Sequence, residues 1–288
     1  MNNILIIYNP SSGRSRPRSS WADLKKYLSS HESDVTIQSI QDDDAFSALD
    51  LSRFSVIIVS GGDGTLRSVV QRLSDAGLNI PIALIPRGSA NVVAKSLNLP
   101  FSARRTAQLI KKGKTIGVDI ARLATGECFV GACALGYLSE RITETDQRVK
   151  KVMGFGGYIL SFMKQTKLPL HQFTFSIDGI SHTIQGHSIF VVNACNVFGI
   201  NSYRVANLSD GAFELVVTTN KSFLSLFGLV FDFYFSKKMP RHFYLKPGKH
   251  FVIYNTEKTS IQIDGEPLTR RPMLDITVQK RQQQFIVA

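Results

Sequence analysis

The amino-acid sequence predicts a two-domain α/β protein, with a three-layer α/β domain over residues 1–120 and a β-rich domain over residues 121–288. Three observations predict it. The chain has 288 residues, and single hydrophobic cores stop growing near ~250 to 300 residues. Buried-looking apolar runs alternate with helical patterns in the first 120 residues, as in a parallel sheet wrapped by helices. From about Ile116 the pattern changes to short alternating runs broken by Gly, Asn and Asp, the mark of antiparallel strands.

In chain order, Asn3 to Tyr8 and Phe54 to Val59 are apolar runs that end in turns, and both read as buried strands. Between them, Trp21, Leu24, Tyr27 and Leu28 carry the 3-4 spacing of an amphipathic helix over Ser20 to Ser30. Val35 to Ile40 reads as a strand and Ala45 to Leu51 as a short helix. Leu66 to Leu73 is helical, Ile82 to Ile85 is a third buried strand, and Asn91 to Leu97 opens another helix. The expected β candidates of the second domain are Ile116 to Leu123, Cys128 to Ala134, Phe173 to Ile177, Thr183 to Ile184, His187 to Ala194, Phe213 to Thr218, His250 to Tyr254, Ser260 to Asp264 and Leu274 to Val278. Helices are expected near Val149 to Met163 and Ser222 to Ser236. The sequence shows no internal repeat and no low-complexity linker.

Composition narrows the chemistry. Hydrophobic residues at 43% and charged residues at 19% are ordinary for a globular protein and exclude disordered and fibrous classes. Cys128, Cys133 and Cys195 are odd in number and lack Cys-x-x-Cys spacing, so neither a disulfide framework nor a zinc site is indicated. The six histidines are scattered. Ile4 to Tyr8 is too short for a signal-peptide core, which leads to the expectation of a cytoplasmic protein. A net charge of +12 calls for an anionic partner. The cations are not interleaved with aromatics as in a nucleic-acid-binding motif, so nucleotide plus membrane surface is favoured and nucleic acid is not expected.

Gly61-Gly62-Asp63-Gly64-Thr65 follows a strand and opens a helix. Its N–H groups can converge on a phosphate while the helix dipole favours negative charge. Asp63 would repel phosphate, so it suits holding Mg²⁺ or orienting a phosphoryl acceptor. Alone, the loop is equally a tight turn with a capping Asp. Two further loops favour a nucleotide site: Asn9-Pro10-Ser11-Ser12-Gly13 after the first strand and Pro86-Arg87-Gly88-Ser89-Ala90-Asn91 after the third. In a parallel sheet such loops meet at the carboxyl edge, where ligands bind.

In order and spacing these loops resemble those of the diacylglycerol kinase catalytic family, which includes bacterial lipid kinases and is related to sphingosine kinases. The opening Asn-Pro motif matches Asn9 to Gly13, the Gly-Gly-Asp-Gly-Thr motif matches Gly61 to Thr65, and the Pro-x-Gly-Thr-x-Asn motif matches Pro86 to Asn91 with Ser89 keeping the hydroxyl. The likeness runs on through Arg148-Val149-Lys150, Gly154 to Tyr158, Asp210-Gly211 and Asp264-Gly265-Glu266-Pro267.

The resemblance implies an N-terminal NAD kinase/diacylglycerol kinase-like α/β domain and a C-terminal antiparallel β-sandwich, with the active site in the cleft between them. It implies ATP and Mg²⁺ as cofactors and transfer of the γ-phosphate to a lipid hydroxyl, as of diacylglycerol or a sphingoid base. Glu266 is then the base, with Asp264 beside it, and Asp63 works at the phosphates. Asn9 to Gly13, Gly61 to Thr65, Ser89 and Asn91 line the nucleotide, and Arg67, where the chain departs from the family, suits either a phosphate contact or an exposed helix face. A structural Mg²⁺ falls to Asp210, the Ala212 carbonyl and Asn207, where the family has a second carboxylate. The chain departs from the family pattern at Leu66-Arg67-Ser68 and at Gly136-Tyr137-Leu138-Ser139, losing a carboxylate at each.

Aromatics between Phe223 and Phe235, flanked by Lys221 and Lys237-Lys238, suit an interfacial segment or the mouth of an acyl pocket. The expectation is peripheral contact with an anionic inner membrane surface, and a homodimer is compatible with the sequence. Two alternatives share the Gly61 to Thr65 motif: a non-catalytic nucleotide or lipid sensor on the same fold, and NAD kinase. The latter predicts an Asn-Glu pair, which this chain lacks.

Overall fold

The computed structural model describes residues 3–12, 24, 28, 34–136, 170–193, 207–219, 243–255 and 259–288. Expectations at Gly13, Cys195, 137–163 and 220–238 fall outside the described residues. The chain divides into two compact units, Met1–Ile120 with Lys280–Ala288, and Ala121–Gln279.

In the first unit, β1 (Asn3–Tyr8) pairs in parallel with β2 (Asp34–Ser39) on one side and β3 (Val56–Gly61) on the other. β4 (Ile82–Pro86) continues the parallel sheet beside β3. Ile4 to Ile7, Ile57 to Val59 and Ile82 to Ile85 are all buried. Strands buried on both faces read as unbroken apolar runs, which is why the sequence located them. Leu24 and Leu28, one helical turn apart, are helical and buried. α1 (Asp43–Ala48) is capped by the Asp42 carboxylate and followed by a 3-10 turn at Leu51–Arg53.

α2 (Asp63–Asp75) turns Thr65, Leu66, Val69, Val70 and Leu73 inward. Near its end Arg72 donates to the Leu49 carbonyl (2.8 Å) and lies 4.6 Å from the Phe46 ring centre, which fastens the helix to the end of α1. α3 (Val92–Ser96) is a single turn and a half. α4 (Ala103–Lys112), stopped by left-handed Gly113, was missed in the sequence despite that stop signal.

The second unit contains two antiparallel sheets. β7 (Ala132–Gly136), β10 (Ser188–Val192), β11 (Phe213–Thr218), β12 (Phe243–Gly248), β14 (Ile261–Ile263) and β15 (Glu266–Leu268) form one, in the order β12-β11-β10-β7-β14-β15. β8 (His171–Ile177), β9 (Ile180–Gly186), β13 (His250–Tyr254) and the first part of β16 (Met273–Ile286) form the other, with β13 between β16 and β8. Phe175, Phe251 and Ile276 from one sheet and Phe213, Leu215 and Val191 from the other share one core, a sandwich. β5 (Thr115–Leu123) pairs with the short β6 (Cys128–Phe129). Cys128 and Cys133 are buried free thiols. The partly exposed Glu127 is bridged by Arg271, whose Nη1 donates to Oε2 at 3.1 Å.

Two expectations need correction. Cys128 to Ala134 is two strands, not one, because the N–H groups of Val130, Gly131 and Ala132 turn to the Asp264 carboxylate. The predicted Leu274 to Val278 strand is the first part of the longer β16, whose polar end is satisfied inside the first unit. There the Arg281 N–H donates to Asp119 Oδ1 (2.6 Å), the Gln283 amide donates to the Ile80 carbonyl (2.7 Å), and Phe285 pairs with Ile82 of β4.

Candidate functional site: three loops at one sheet edge and an anchored acidic turn

Because β1, β3 and β4 run parallel, their following loops leave from the same end of the sheet. The Asn9 N–H donates to the Ser60 carbonyl (3.1 Å) and the Arg87 N–H to the Gly61 carbonyl (2.8 Å), so the loop after β3 is bonded to both neighbours. Asn9 Nδ2 reaches Thr65 Oγ1 (3.3 Å), while Asn9 Oδ1 accepts the Ser11 N–H (2.9 Å) and holds its own loop. Ser12 donates its N–H to the Asn9 carbonyl (3.1 Å). Pro10 and Ser11 are exposed and Ser12 is half-buried.

The second and third loops touch backbone to backbone. A Cβ on Gly88 would lie 2.5 Å from the Gly62 Cα, and one on Gly62 would lie 3.0 Å from the Gly88 Cα. Neither neighbour is a flexible side chain, so a side chain at Gly88 would force the loops apart, and one at Gly62 would need the facing backbone to give by a few tenths of an ångström. Asn91 locks the third loop: its Oδ1 accepts the Gly88 N–H (2.8 Å) and its Nδ2 donates to the Gly88 carbonyl (2.5 Å). It is buried and left-handed (φ 49°), a conformation Asn tolerates. Ser89 is exposed at the tip.

α2 begins at this edge with Gly62 as its N-cap and no side chain capping its first turn. The first N–H groups of a helix need a partner, and with the dipole they favour an anion. Thr65 is buried, Gly64 and Arg67 are half-buried, and Arg67 Nε is buried without a hydrogen-bond partner among the described residues. Close glycine backbones and an uncapped 13-residue helix fit a phosphate group.

Asp63 is half-buried, and its Oδ1 accepts the Val92 N–H (2.9 Å) at the start of α3. Burial pushes its carboxyl above the ordinary value, opposed by the N–H groups of Val92, Val93 and Asn91. One carboxylate oxygen therefore positions α3 against the loop.

In the second unit Asp264 sits in a left-handed turn (φ 48°) followed by Gly265 (φ 84°). Its Oδ2 accepts from Val130 (2.9 Å), and its Oδ1 accepts from Gly131 (2.8 Å) and Ala132 (2.9 Å). Its own N–H donates to the Ala132 carbonyl (2.8 Å). The sequence paired Asp264 with Glu266 as catalytic, whereas its carboxylate is engaged as an anchor. Glu266, opposite Ile263 in the β14–β15 hairpin, is exposed.

Asp210, Ala212 and Asn207 lie together in the turn before β11, where Asp210 Oδ1 accepts the Ala212 N–H (3.0 Å) and Asn207 Oδ1 the Ser209 N–H (3.2 Å). Among the described residues, no group of three or more His, Cys, Asp or Glu could hold a metal. The sequence passed over Glu214, which is buried with Oε2 unpartnered among the described residues. Burial, then the Asp210 charge, pushes its carboxyl up to about 8. These oxygens are of the kind that a hard cation takes.

Gln41 was also missed: from the loop after β2 its Nε2 donates to Ser11 Oγ (2.5 Å). Its signal was position, since that loop leaves from the same sheet edge.

Residues 3–123 match the diacylglycerol kinase catalytic domain family. Those residues, which span the strands and loops of the first unit, carry the likeness to that family. Over 231 residues it is 28% identical to an uncharacterized protein of Synechocystis, with 76% of this chain covered, and it spans about half (52%) of that protein. It is 26% identical over 282 residues to a diacylglycerol kinase of Staphylococcus carnosus, with 91% of this chain and 87% of that protein covered. A solved Bacillus anthracis structure, of a protein named provisionally as a diacylglycerol kinase, superposes with a TM-score of 0.83 over 100% of this chain and 97% of that one. At 21% identity the likeness to it bears on the fold alone. Among the described residues, no helix is long and apolar enough to cross a membrane.

Proposed function

We propose that this protein is an ATP-dependent lipid kinase that transfers the γ-phosphate to the hydroxyl of a lipid such as diacylglycerol or a sphingoid base, at the cytoplasmic surface of a membrane. The observation that carries the reading is the contact of Gly62 with Gly88 at an uncapped helix start, within a domain that matches the kinase family. The N–H groups at the start of α2 bind phosphate oxygens, and Arg67 supplies positive charge one turn further along. Asn9 and Asn91 hold the flanking loops. Asp63 positions α3 and is the acid of this loop available to a cation.

Mg²⁺, when bound, neutralises charge on the phosphates, and positioning with charge neutralisation carries most of phosphoryl transfer. The lipid oxygen bonds to the γ-phosphorus, the bond from that phosphorus to the β–γ bridging oxygen breaks, and ADP leaves. The hydroxyl proton passes to Glu266, an exposed carboxylate on a turn that Asp264 keeps rigid. A second Mg²⁺, held by Asp210, the Ala212 carbonyl and Asn207, would be structural.

A second reading, binding without turnover, is favoured by Ser68, which stands where the family has a carboxylate and whose hydroxyl turns back to the Gly64 carbonyl (3.2 Å). The test is radiolabelled ATP with Mg²⁺ and mixed micelles of candidate lipid alcohols. Wild type should form labelled phospholipid, and Asp63→Asn and Glu266→Gln should lower turnover by about a hundredfold or more. ATP binding with no labelled lipid across the panel would move the second reading to the front.

A further inference from the structure

From Ala76 to Val118 the chain contains no Asp or Glu and seven cations, Arg87, Lys95, Arg104, Arg105, Lys111, Lys112 and Lys114, which is more than half of the net +12 in 43 residues. Four of them, Arg104, Arg105, Lys111 and Lys112, lie on α4. α4 turns Thr106, Ala107 and Leu109 inward, and its outer face carries Arg104, Arg105, Gln108, Lys111 and Lys112, all exposed and spaced three and four apart. Beside this face runs an open groove of about 980 Å³ between the segment Asn98 to Ser102 and the helix, with Arg105, Lys112 and Ala288 on its walls. At its mouth Phe101 is 59% exposed, the most exposed large hydrophobic side chain among the described residues. Neither the α4 residues nor Phe101 belongs to the three loops, and core packing does not explain an exposed phenylalanine among cations.

We infer that the α4 face, with Phe101 at its edge, docks the protein on an anionic lipid bilayer. An apolar ring that enters the headgroup region, backed by basic residues that meet anionic lipids, is the chemistry of peripheral membrane attachment. A second copy is a poor occupant because the same face would meet its own positive charge. Single-stranded nucleic acid is read on several stacked aromatics, whereas this face carries one. The inference rests on the lipid-kinase reading only in giving the site a membrane substrate to reach. Its surface chemistry stands by itself.

The test is sedimentation with phosphatidylcholine vesicles, with and without phosphatidylglycerol, at low and high salt. Wild type should bind only the anionic vesicles and release with salt. The triple variant Arg104→Glu/Arg105→Glu/Lys112→Glu should lose roughly a hundredfold in apparent affinity, since each cation near such a surface contributes severalfold. Phe101→Ser should lose about tenfold with the salt dependence retained. Melting by circular dichroism identifies a variant that fails to fold, and in that event Phe101→Ser, which changes one exposed side chain, decides the outcome. Turnover in detergent micelles should be unchanged in both variants. Equal vesicle binding by wild type and both folded variants would overturn the inference, as would wild-type binding to neutral vesicles alone or to single-stranded RNA in preference. Absent turnover in wild-type micelle assays would instead sink the kinase reading and leave the vesicle result standing.

Discussion

The loops of the first unit and the acidic turn of the second both hold an aspartate at a tight bend, and they fix it by opposite means. In the first unit geometry is set by missing side chains: Gly62 and Gly88 let two backbones meet, and Asp63 follows where that contact puts it. In the second unit a charge sets geometry, because the Asp264 carboxylate gathers three N–H groups from residues more than 130 positions earlier. An aspartate in a Gly-rich turn is therefore weak grounds for a catalytic role until the N–H groups around it have been counted. The N–H groups around Asp63 belong to the start of one short helix and one oxygen takes its direct bond from Val92, whereas both oxygens of Asp264 are committed.

The contrast is broken most directly by Asp264→Ala. Three charge-assisted hydrogen bonds vanish and three N–H groups lose their acceptor, so stability should fall by about 3 to 5 kcal/mol, measured by denaturant unfolding. Hydrogen exchange should speed up first at Val130 to Ala132. If stability changes by under about 1 kcal/mol, the anchor role is wrong.

Gly88→Ala tests the other side. With a methyl 2.5 Å from the Gly62 Cα, the loops must separate. The expected cost is about 2 kcal/mol, with ATP affinity, read by calorimetry, falling much further than after an exposed-tip change such as Ser89→Ala. Equal losses in the two variants would mean that loop contact is not what builds the phosphate cradle.

The third prediction sharpens the comparison through pH, because buried polar groups titrate and glycine contacts do not. His187 is fully buried in the second unit, with Nδ1 against Thr218 Oγ1 (3.1 Å) and Ser188 Oγ (3.3 Å). Burial, then the neighbouring His171, pushes the ring down to about 4 from 6.5. The folded state thus prefers the neutral ring. Its contribution is whole above about pH 6.5 and is lost as pH falls toward about 4. Wild type should lose on the order of 2 kcal/mol across that window, while His187→Gln should show a flatter melting profile. An unchanged profile would remove His187 as the cause.

Much of the fold was legible where burial is uniform. β1, β11 and β13 have the bounds read from the sequence, because apolar runs ending in turn residues fix a strand without outside help. Where a segment depends on distant partners, local pattern failed. β12 contains Lys246-Pro247-Gly248, which reads as a turn, and Pro247 is tolerated because β12 lies at the end of its sheet. The polar end of β16 resembles a tail until Asn79, Ile80 and Asp119 satisfy it.

The sequence by itself determined the alternation of strands and helices, the shift to antiparallel strands near Ile116, and the three loops that carry the family's motifs. These follow from local backbone preference and hydrophobic period, which neighbouring residues suffice to express. Only the tertiary structure decided that Gly62 rests on Gly88, that Asp264 is an anchor, that Gln41 joins the first loop, and that α4 presents its cations beside Phe101. Each is a contact between segments far apart in the chain, and its energy exists only once the fold has brought both partners out of water.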